Sequence, residues 1–456
     1  MSRVLKGIAF CTVLAAFGYG ATPWMVAHYG ALGAEEKLAA AFPIPPDIQA
    51  QLDGLLQYDD PEGVQNAQQL LSSRLQYRLI KCSPTYMPRW YESLETVQQR
   101  VDNPACFDQQ NEQLAQRARL LEVGLILRQP PLRPASTKPS MQVVADSYIH
   151  FGRYATNAGV AILGLHDKAQ LVDIGTGEVL LRVPRSNYRA ISNLSANGRL
   201  FTDERETGET LIREVDGGRT VLKLPVQQWC DFVWLDVRTS ACKRGQFVSF
   251  VDYRRGQVVQ TDLYAQPFLQ AASVPGKPDH YVLLSWQRVV EVQLLERDGT
   301  PRAQLVRELR DEKLMASWDS DALIRSKLNA DGSSYLMATE AGRLVEFSLR
   351  DLQARVFDTR PLFVRLVVPT VDPSKVLFYG GFKPRGYDIG FVFDLEKQQM
   401  APLTVSRRYE DFVGSLPGMS VLRNNTLTLI KDLPVGEPVA LAQWRSQMEA
   451  EAAKRD

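Results

Sequence analysis

The chain has almost no net charge. Its 53 basic and 52 acidic side chains leave a formal charge of +1 at pH 7. A dedicated nucleic-acid binder carries a basic excess, so no nucleic-acid partner is expected. Histidine is scarce, with His28, His150, His166 and His280 the four in the chain. His166 precedes Asp167 between two short apolar runs, where a turn is the plain reading. No G-x-S-x-G, H-E-x-x-H or P-loop motif occurs, and the carboxylates are scattered as on a solvated surface. The expectation is a chain that is not an enzyme, with no catalytic residue, no metal ligand and no cofactor assigned.

Cysteine is also sparse, and no C-x-x-C occurs. The histidines lie far from the cysteines in sequence, which disfavours a zinc site. Of the five cysteines, Cys11 falls in the leading apolar run. The other four form two local pairs, which suits an oxidising compartment and predicts disulfides Cys82–Cys106 and Cys230–Cys242. Four separate buried thiols are the alternative.

There is one long uncharged run, from Gly7 to Ala34, preceded by Arg3 and Lys6 and followed by Glu35 and Glu36. That polarity places the N-terminus in the cytoplasm and the remainder outside. Residues 1–34 read as a signal anchor, with contact to the membrane through residues 7–27. A cleaved signal peptide is the competing reading. No small residue precedes Cys11, where bulky Phe10 stands, so a lipoprotein is not expected.

Residues 35–128 carry helical patterns. Pro43, Pro45 and Pro46 break the chain first. Asp60-Pro-Glu62 then supplies an N-cap, a proline at the first helical position and an acid in the first turn. Val64, Ala67, Leu70, Leu71 and Leu75 follow on one face. Further helices are predicted from Arg89 to Val101 and from Glu112 to Leu127, the latter with Leu114, Ala118, Leu121 and Leu125 inward. Prolines crowd residues 129–140, which read as a semi-rigid linker and the domain boundary.

From 141 to 433 the period becomes alternating. Gly175-Thr-Gly177, Asn197-Gly198, Asp216-Gly217, Asp298-Gly299 and Asp331-Gly332 punctuate β-rich runs, as tight hairpins require. Units end near Val183, Leu224, Leu263, Leu305, Leu362, Leu403 and Leu433, mostly about 40 residues apart, as for four-stranded propeller blades. The last unit is too short for four strands, and the early run Gln142–Ile149 is positioned to complete it. The aromatics Trp229, Phe232 and Trp234 read as blade core.

Leu171-Val-Asp-Ile-Gly-Thr-Gly-Glu-Val-Leu180, Leu194-Ser-Ala-Asn-Gly-Arg-Leu200, Leu328-Asn-Ala-Asp-Gly-Ser334 and Phe391-Val-Phe-Asp-Leu-Glu396 resemble the strand–turn–strand units of bacterial WD-repeat-like (YVTN-like) β-propellers. The chain departs from that family in lacking Trp-Asp at the unit ends and Gly-His anywhere. The resemblance implies a mainly β fold: a propeller of seven blades, with six or eight as alternatives.

One interval is too long. Its excess, Arg307 to Ser320, is charged and reads as a loop or short helix; departures of this kind map to loops on one face. Arg307, Arg310, Asp311, Glu312, Lys313 and Trp318 are therefore candidate interaction residues. Residues 434–456 read as a terminal helix from Val439 to Lys454, with Ala440, Leu441, Trp444 and Met448 in a narrow stripe. Trp444 either docks this helix on its own protein or meets a partner.

The resulting expectation is a non-catalytic periplasmic scaffold anchored in the bacterial inner membrane, binding an envelope or membrane protein complex. The alternative is a propeller enzyme or receptor holding a sugar, lactone or quinone cofactor in its central funnel.

Overall fold

The computed structural model describes residues 46–57, 59–83, 106, 109–135, 140–147, 149, 151–154, 158–184, 191–204, 209–224, 230–244, 247–264, 268–285, 289–297, 300–309, 323–329, 331–339, 343–370, 372–382, 389–404, 419–423, 426–430, 433 and 435–453. The expected anchor 1–34, the expected helix 89–101 and residues 310–322 lie outside them. No described helix is long and apolar enough to cross a membrane. The chain divides into two units, Met1–Ala118 and Arg119–Asp456.

In the first unit, Pro46 does not only break the chain: it opens α1 (Pro46–Leu56). Proline at the first helical position costs no hydrogen bond, because that N–H has no partner in any helix. The second helix, α2 (Pro61–Cys82), begins as its residues dictate, with Asp60 Oδ1 accepting from Gly63 N at 2.7 Å. Gly63 packs so closely on the end of α1 that a Cβ there would sit 2.2 Å from the Leu55 carbonyl oxygen. Val64, Ala67 and Leu71 are buried as expected; Leu70 and Leu75 are only partly covered, and Leu79 extends the stripe. Cys82 and Cys106 form the predicted disulfide.

The third helix, α3 (Gln109–Arg128), is where the structure departs from the expected boundary at 129–140. The division falls inside this helix. The reason is its second half: Leu120, Val123, Ile126 and Leu127 are buried in a core shared with sheet residues Leu222, Phe232, Val251 and Tyr253. Leu125, expected inward, is only partly buried.

Among the described residues the second unit holds seven antiparallel sheets. After β1 (Ser140–Val144), the first sheet is β2 (Phe151–Tyr154), β3 (Val160–Gly164), β4 (Lys168–Asp173) and β5 (Val179–Pro184). The second is β6 (Ile191–Leu194), β7 (Leu200–Glu204), β8 (Thr210–Glu214) and β9 (Thr220–Leu224). The third is β10 (Cys230–Trp234), β11 (Thr239–Arg244), β12 (Phe247–Asp252) and β13 (Gln257–Tyr264). The fourth is β14 (Phe268–Ser273), β15 (His280–Ser285), β16 (Val289–Arg297) and β17 (Thr300–Leu309). The fifth is β18 (Leu323–Leu328), β19 (Ser334–Thr339), β20 (Arg343–Ser348) and β21 (Ala354–Asp358). The sixth is β22 (Phe363–Pro369), β23 (Lys375–Gly381), β24 (Ile389–Asp394) and β25 (Gln399–Pro402). In the seventh, β26 (Met419–Arg423) and β27 (Thr426–Ile430) pair with each other, and β1 adds to β27 with Met141 opposite Leu429.

The first strands of successive sheets, β2, β6, β10, β14, β18 and β22, each lie beside the next. The seventh sheet lies against the first, and the segment that follows it reaches the sixth. Val143, Ala145 and Ile149 pack on Ala161, Leu163 and Val172 of the first sheet, and Leu433 packs on Val368, Leu377 and Tyr379 of the sixth. Sheets stacked face to face around a common axis are the architecture of a β-propeller.

One hydrogen bond repeats in six sheets. In five of them the residue after the third strand (Ile174, Val215, Tyr253, Leu349, Leu395), and in the fourth sheet Leu294 within β16, donates its N–H to a carbonyl just before the second strand (Gly159, Arg199, Arg238, Ser333, Ser374 and, for Leu294, Asp279). All six donors are buried. An apolar side chain at the strand end fills the gap toward the adjoining sheet while its backbone ties two turns together. Asp-anchored turns recur beside it: Asp173, Asp252 and Asp394 each accept from two N–H groups that follow. At Asn197-Gly198 the glycine takes φ 67°, the left-handed conformation the dipeptide predicts.

Asn197 does more than turn the chain. Its Nδ2 lies 2.9, 3.1 and 3.3 Å from the carbonyls of Ile126, Leu127 and Gln129. Ile126 and Leu127 belong to the last turn of α3 and Gln129 follows it, where carbonyls are left over from the helical pattern. The residues after the helix stay on the same turns, with Leu132 N donating to Asn197 O and Gly159 N to Arg133 O.

Between the third and fourth sheets lies a buried polar latch. Tyr281 Oη donates to Thr239 Oγ1 at 2.8 Å and approaches Asp236 Oδ2 at 3.4 Å. Asp236 Oδ1 also accepts from the N–H groups of Arg238 and Thr239. Burial raises the Asp236 carboxyl above its ordinary range, against these hydrogen bonds.

The C-terminal segment corrects the expected helix from Val439. Val439–Ala440 is instead a short strand, β28, added to β25 as a fifth strand of the sixth sheet. Only then does α4 (Leu441–Ala453) begin. Trp444 is 1% exposed and meets Phe391 edge to face at 5.1 Å, so it docks the helix on its own protein.

Candidate interaction site on the outer strand of the fourth sheet

The expected insertion from Arg307 starts too early. Arg307, Glu308 and Leu309 continue β17, and Arg307 pairs in register with Glu291 of β16. At 10 residues β17 is the longest strand described. It is the outermost strand of its sheet; the fourth strands β5, β9, β13, β21 and β25 of the other sheets have 4 to 8 residues.

A bulge shapes it. Glu291 opposes Arg307 but the next residue, Val292, opposes Leu305, so Val306 is the extra residue. A bulge breaks strict alternation. Both Leu305 and Val306 are consequently exposed, at 40% and 43%.

Beneath this strand a carboxylate is enclosed by an arginine, a lysine and a histidine. The Glu291 side chain is 1% exposed. Its Oε2 accepts from Arg307 Nε at 2.8 Å, and its Oε1 from His280 Nδ1 at 2.9 Å and Lys277 Nζ at 3.3 Å. Burial alone would raise the Glu291 carboxyl, but hydrogen bonds from Arg307, His280 and Lys277 together outweigh it and hold the group below the ordinary range. The Arg307 and Lys277 side chains stay close to half exposed. The surface around one neutralised carboxylate is therefore basic, and it can engage an acidic group without uncovering Glu291.

No protein-family model matches the chain. No curated protein matches its sequence. Among solved structures it is similar to the crystal structure of Kluyvelomyces marxianus Hsv2, with 9% identity over 58% of this chain and 95% of that one, at a TM-score of 0.39. The propeller architecture rests on the order and contacts of the sheets.

Of the predicted interaction residues, the structure places Arg307 in this site and Trp444 in the core. Arg310, Asp311, Glu312, Lys313 and Trp318 lie outside the described residues. Cys242 is disulfide-bonded, while the Cys230 side chain lies outside them, so that pairing remains an expectation. Among the described residues no three His, Cys, Asp or Glu side chains gather as metal ligands. Sequence reading missed Glu291, Lys277 and the role of His280. A signal existed: Val289-Val-Glu-Val292 sets one acid in an apolar strand, and an acid at a buried strand position calls for a cation nearby.

Proposed function

We propose that this chain is a non-catalytic interaction scaffold, a propeller presented in the periplasm that docks a protein of an envelope, secretion or surface-structure assembly. The observation that carries the reading is β17, a long outer strand with two adjacent exposed apolar residues beside a basic surface. Exposed apolar residues clustered within a polar rim mark interaction sites. The charged residues 310–322 continue from that strand, so the candidates Arg310, Asp311, Glu312, Lys313 and Trp318 belong to the same reading.

Anchorage through residues 7–27 in the bacterial inner membrane is part of the proposal. It draws on the uncharged run behind Arg3 and Lys6, and on the Cys82–Cys106 disulfide, which suits an oxidising compartment. Crosslinking intact membranes and purifying the full chain tests the scaffold. A specific envelope protein should co-purify, and recovery of none overturns the reading. Protease added to spheroplasts should digest the sheet unit; full protection would overturn the placement.

A further inference from the structure

We propose that the outer edge of β17 takes up an extended acidic segment of the partner protein as a fifth strand. This rests on the scaffold reading and specifies how that surface binds.

An edge strand presents a row of backbone N–H and C=O groups, and proteins normally keep such edges short or covered. Among the described residues no strand pairs with the outer edge of β17. Pro301 lacks an N–H, so the usable ladder runs over 302–309, room for a partner segment of about 6 to 8 residues. The fold itself shows that its sheets accept a fifth strand: β28 occupies the corresponding edge of the sixth sheet. Added strands gain affinity from main-chain hydrogen bonds and specificity from alternate side chains.

The chemistry of the partner follows from charge. Arg302, Gln304 and Arg307 pair with Leu295, Gln293 and Glu291 and so share one face of the strand. Lys277 joins that face through Glu291. The carboxylate there is already engaged by three nitrogens, which leaves the face with excess positive charge. Glu308 pairs with Val290 and alternates to the opposite face. A partner strand carrying Asp or Glu at alternate positions matches this arrangement, with apolar residues between them to meet Leu305 and Val306.

The test uses the full chain in detergent and a synthetic ten-residue peptide alternating Val with Asp. Binding should slow amide hydrogen exchange across 302–309 at least tenfold. Three outcomes support the proposal: that protection, its loss when alternate peptide nitrogens are methylated, and at least fivefold weaker binding by Arg302→Glu. Binding indifferent to N-methylation overturns it, as does no binding. Strong protection of 302–309 in the free chain also overturns it, because the edge is then covered by its own chain. Self-association abolished by Arg302→Glu would make a second copy the occupant and likewise overturn it. Failure of the scaffold reading is separable. If crosslinking recovers a partner whose capture survives both Arg302→Glu and Val306→Pro, the scaffold stands and the added strand falls.

Discussion

Arg307 and Glu291 face each other across one rung of the fourth sheet, with Nε 2.8 Å from Oε2, and the bulge at Val306 lies immediately beside that rung. The ion pair thus pins the strand where its regular alternation fails. Arg307→Met should cost about 1 kcal/mol, because Lys277 still pairs with the carboxylate, His280 still hydrogen-bonds it, and the arginine is half solvated. Urea denaturation measures it. Hydrogen exchange at Leu305 and Val306 should quicken more than exchange elsewhere in the sheet.

Acid should weaken the protein partly through Glu291. Its folded carboxyl titrates below the ordinary value, so the stabilisation is complete above the unfolded value of 4.5 and is lost as pH falls through the folded one. Asp358, held at about 2 chiefly by Arg360, acts with the same sign at lower pH. The urea midpoint should fall between about pH 5 and about pH 3. In Glu291→Gln the fall should be shallower, while Glu296→Gln serves as a control substitution on the same strand.

Asp236 has the opposite sign. Burial raises its carboxyl, so the ionised form costs stability at neutral pH and the cost is relieved on acidification. Asp236→Asn keeps an oxygen for the Arg238 and Thr239 N–H groups and should be neutral or stabilising by up to about 1 kcal/mol. Asp236→Ala should destabilise by about 1 to 3 kcal/mol, since two N–H groups lose their acceptor. Thermal unfolding of the pair at neutral pH checks the order.

Asn197 offers a sharper contrast. Asn197→Asp replaces a donor facing three carbonyls with a second acceptor. It should be more harmful than Asn197→Ala, which should cost about 1 to 3 kcal/mol. Both variants should loosen the end of α3, read as faster exchange of the Leu127 and Gln129 amides.

Trp444 is buried, and its indole Nε1 has no hydrogen-bond partner among the described residues. Trp444→Ala should cost about 3 to 5 kcal/mol by leaving a cavity against Phe391, whereas Trp444→Phe should cost about 1 kcal/mol. Differential scanning calorimetry separates them, and proteolysis should release α4 only from the alanine variant.

Local signals carried much of this fold. Asn197-Gly198, Asp216-Gly217 and Asp331-Gly332 announced hairpins because their dihedral demands are met by few residues. The strand supplied by the run before Ile149 was legible from a count of missing strands. The limits were tertiary. Nothing in 112–127 says that its first and second halves bury against different units. Val439-Ala440 has too few residues for alternation to show, and only the edge of β25 makes it a strand. The Glu291 cluster gathers side chains from a turn and three strands, so no spacing reveals it.

The pairing of β1 with β27 joins residues near 140 to residues near 430. Such a contact has a very large sequence separation, and its loop-closure entropy must be met before it returns anything. During synthesis β1 lacks its sheet partner until the final strands emerge. The last rung to form should therefore be the first to be guarded by chaperones, and a premature stop before Met419 should yield an open, aggregation-prone arc rather than a smaller propeller.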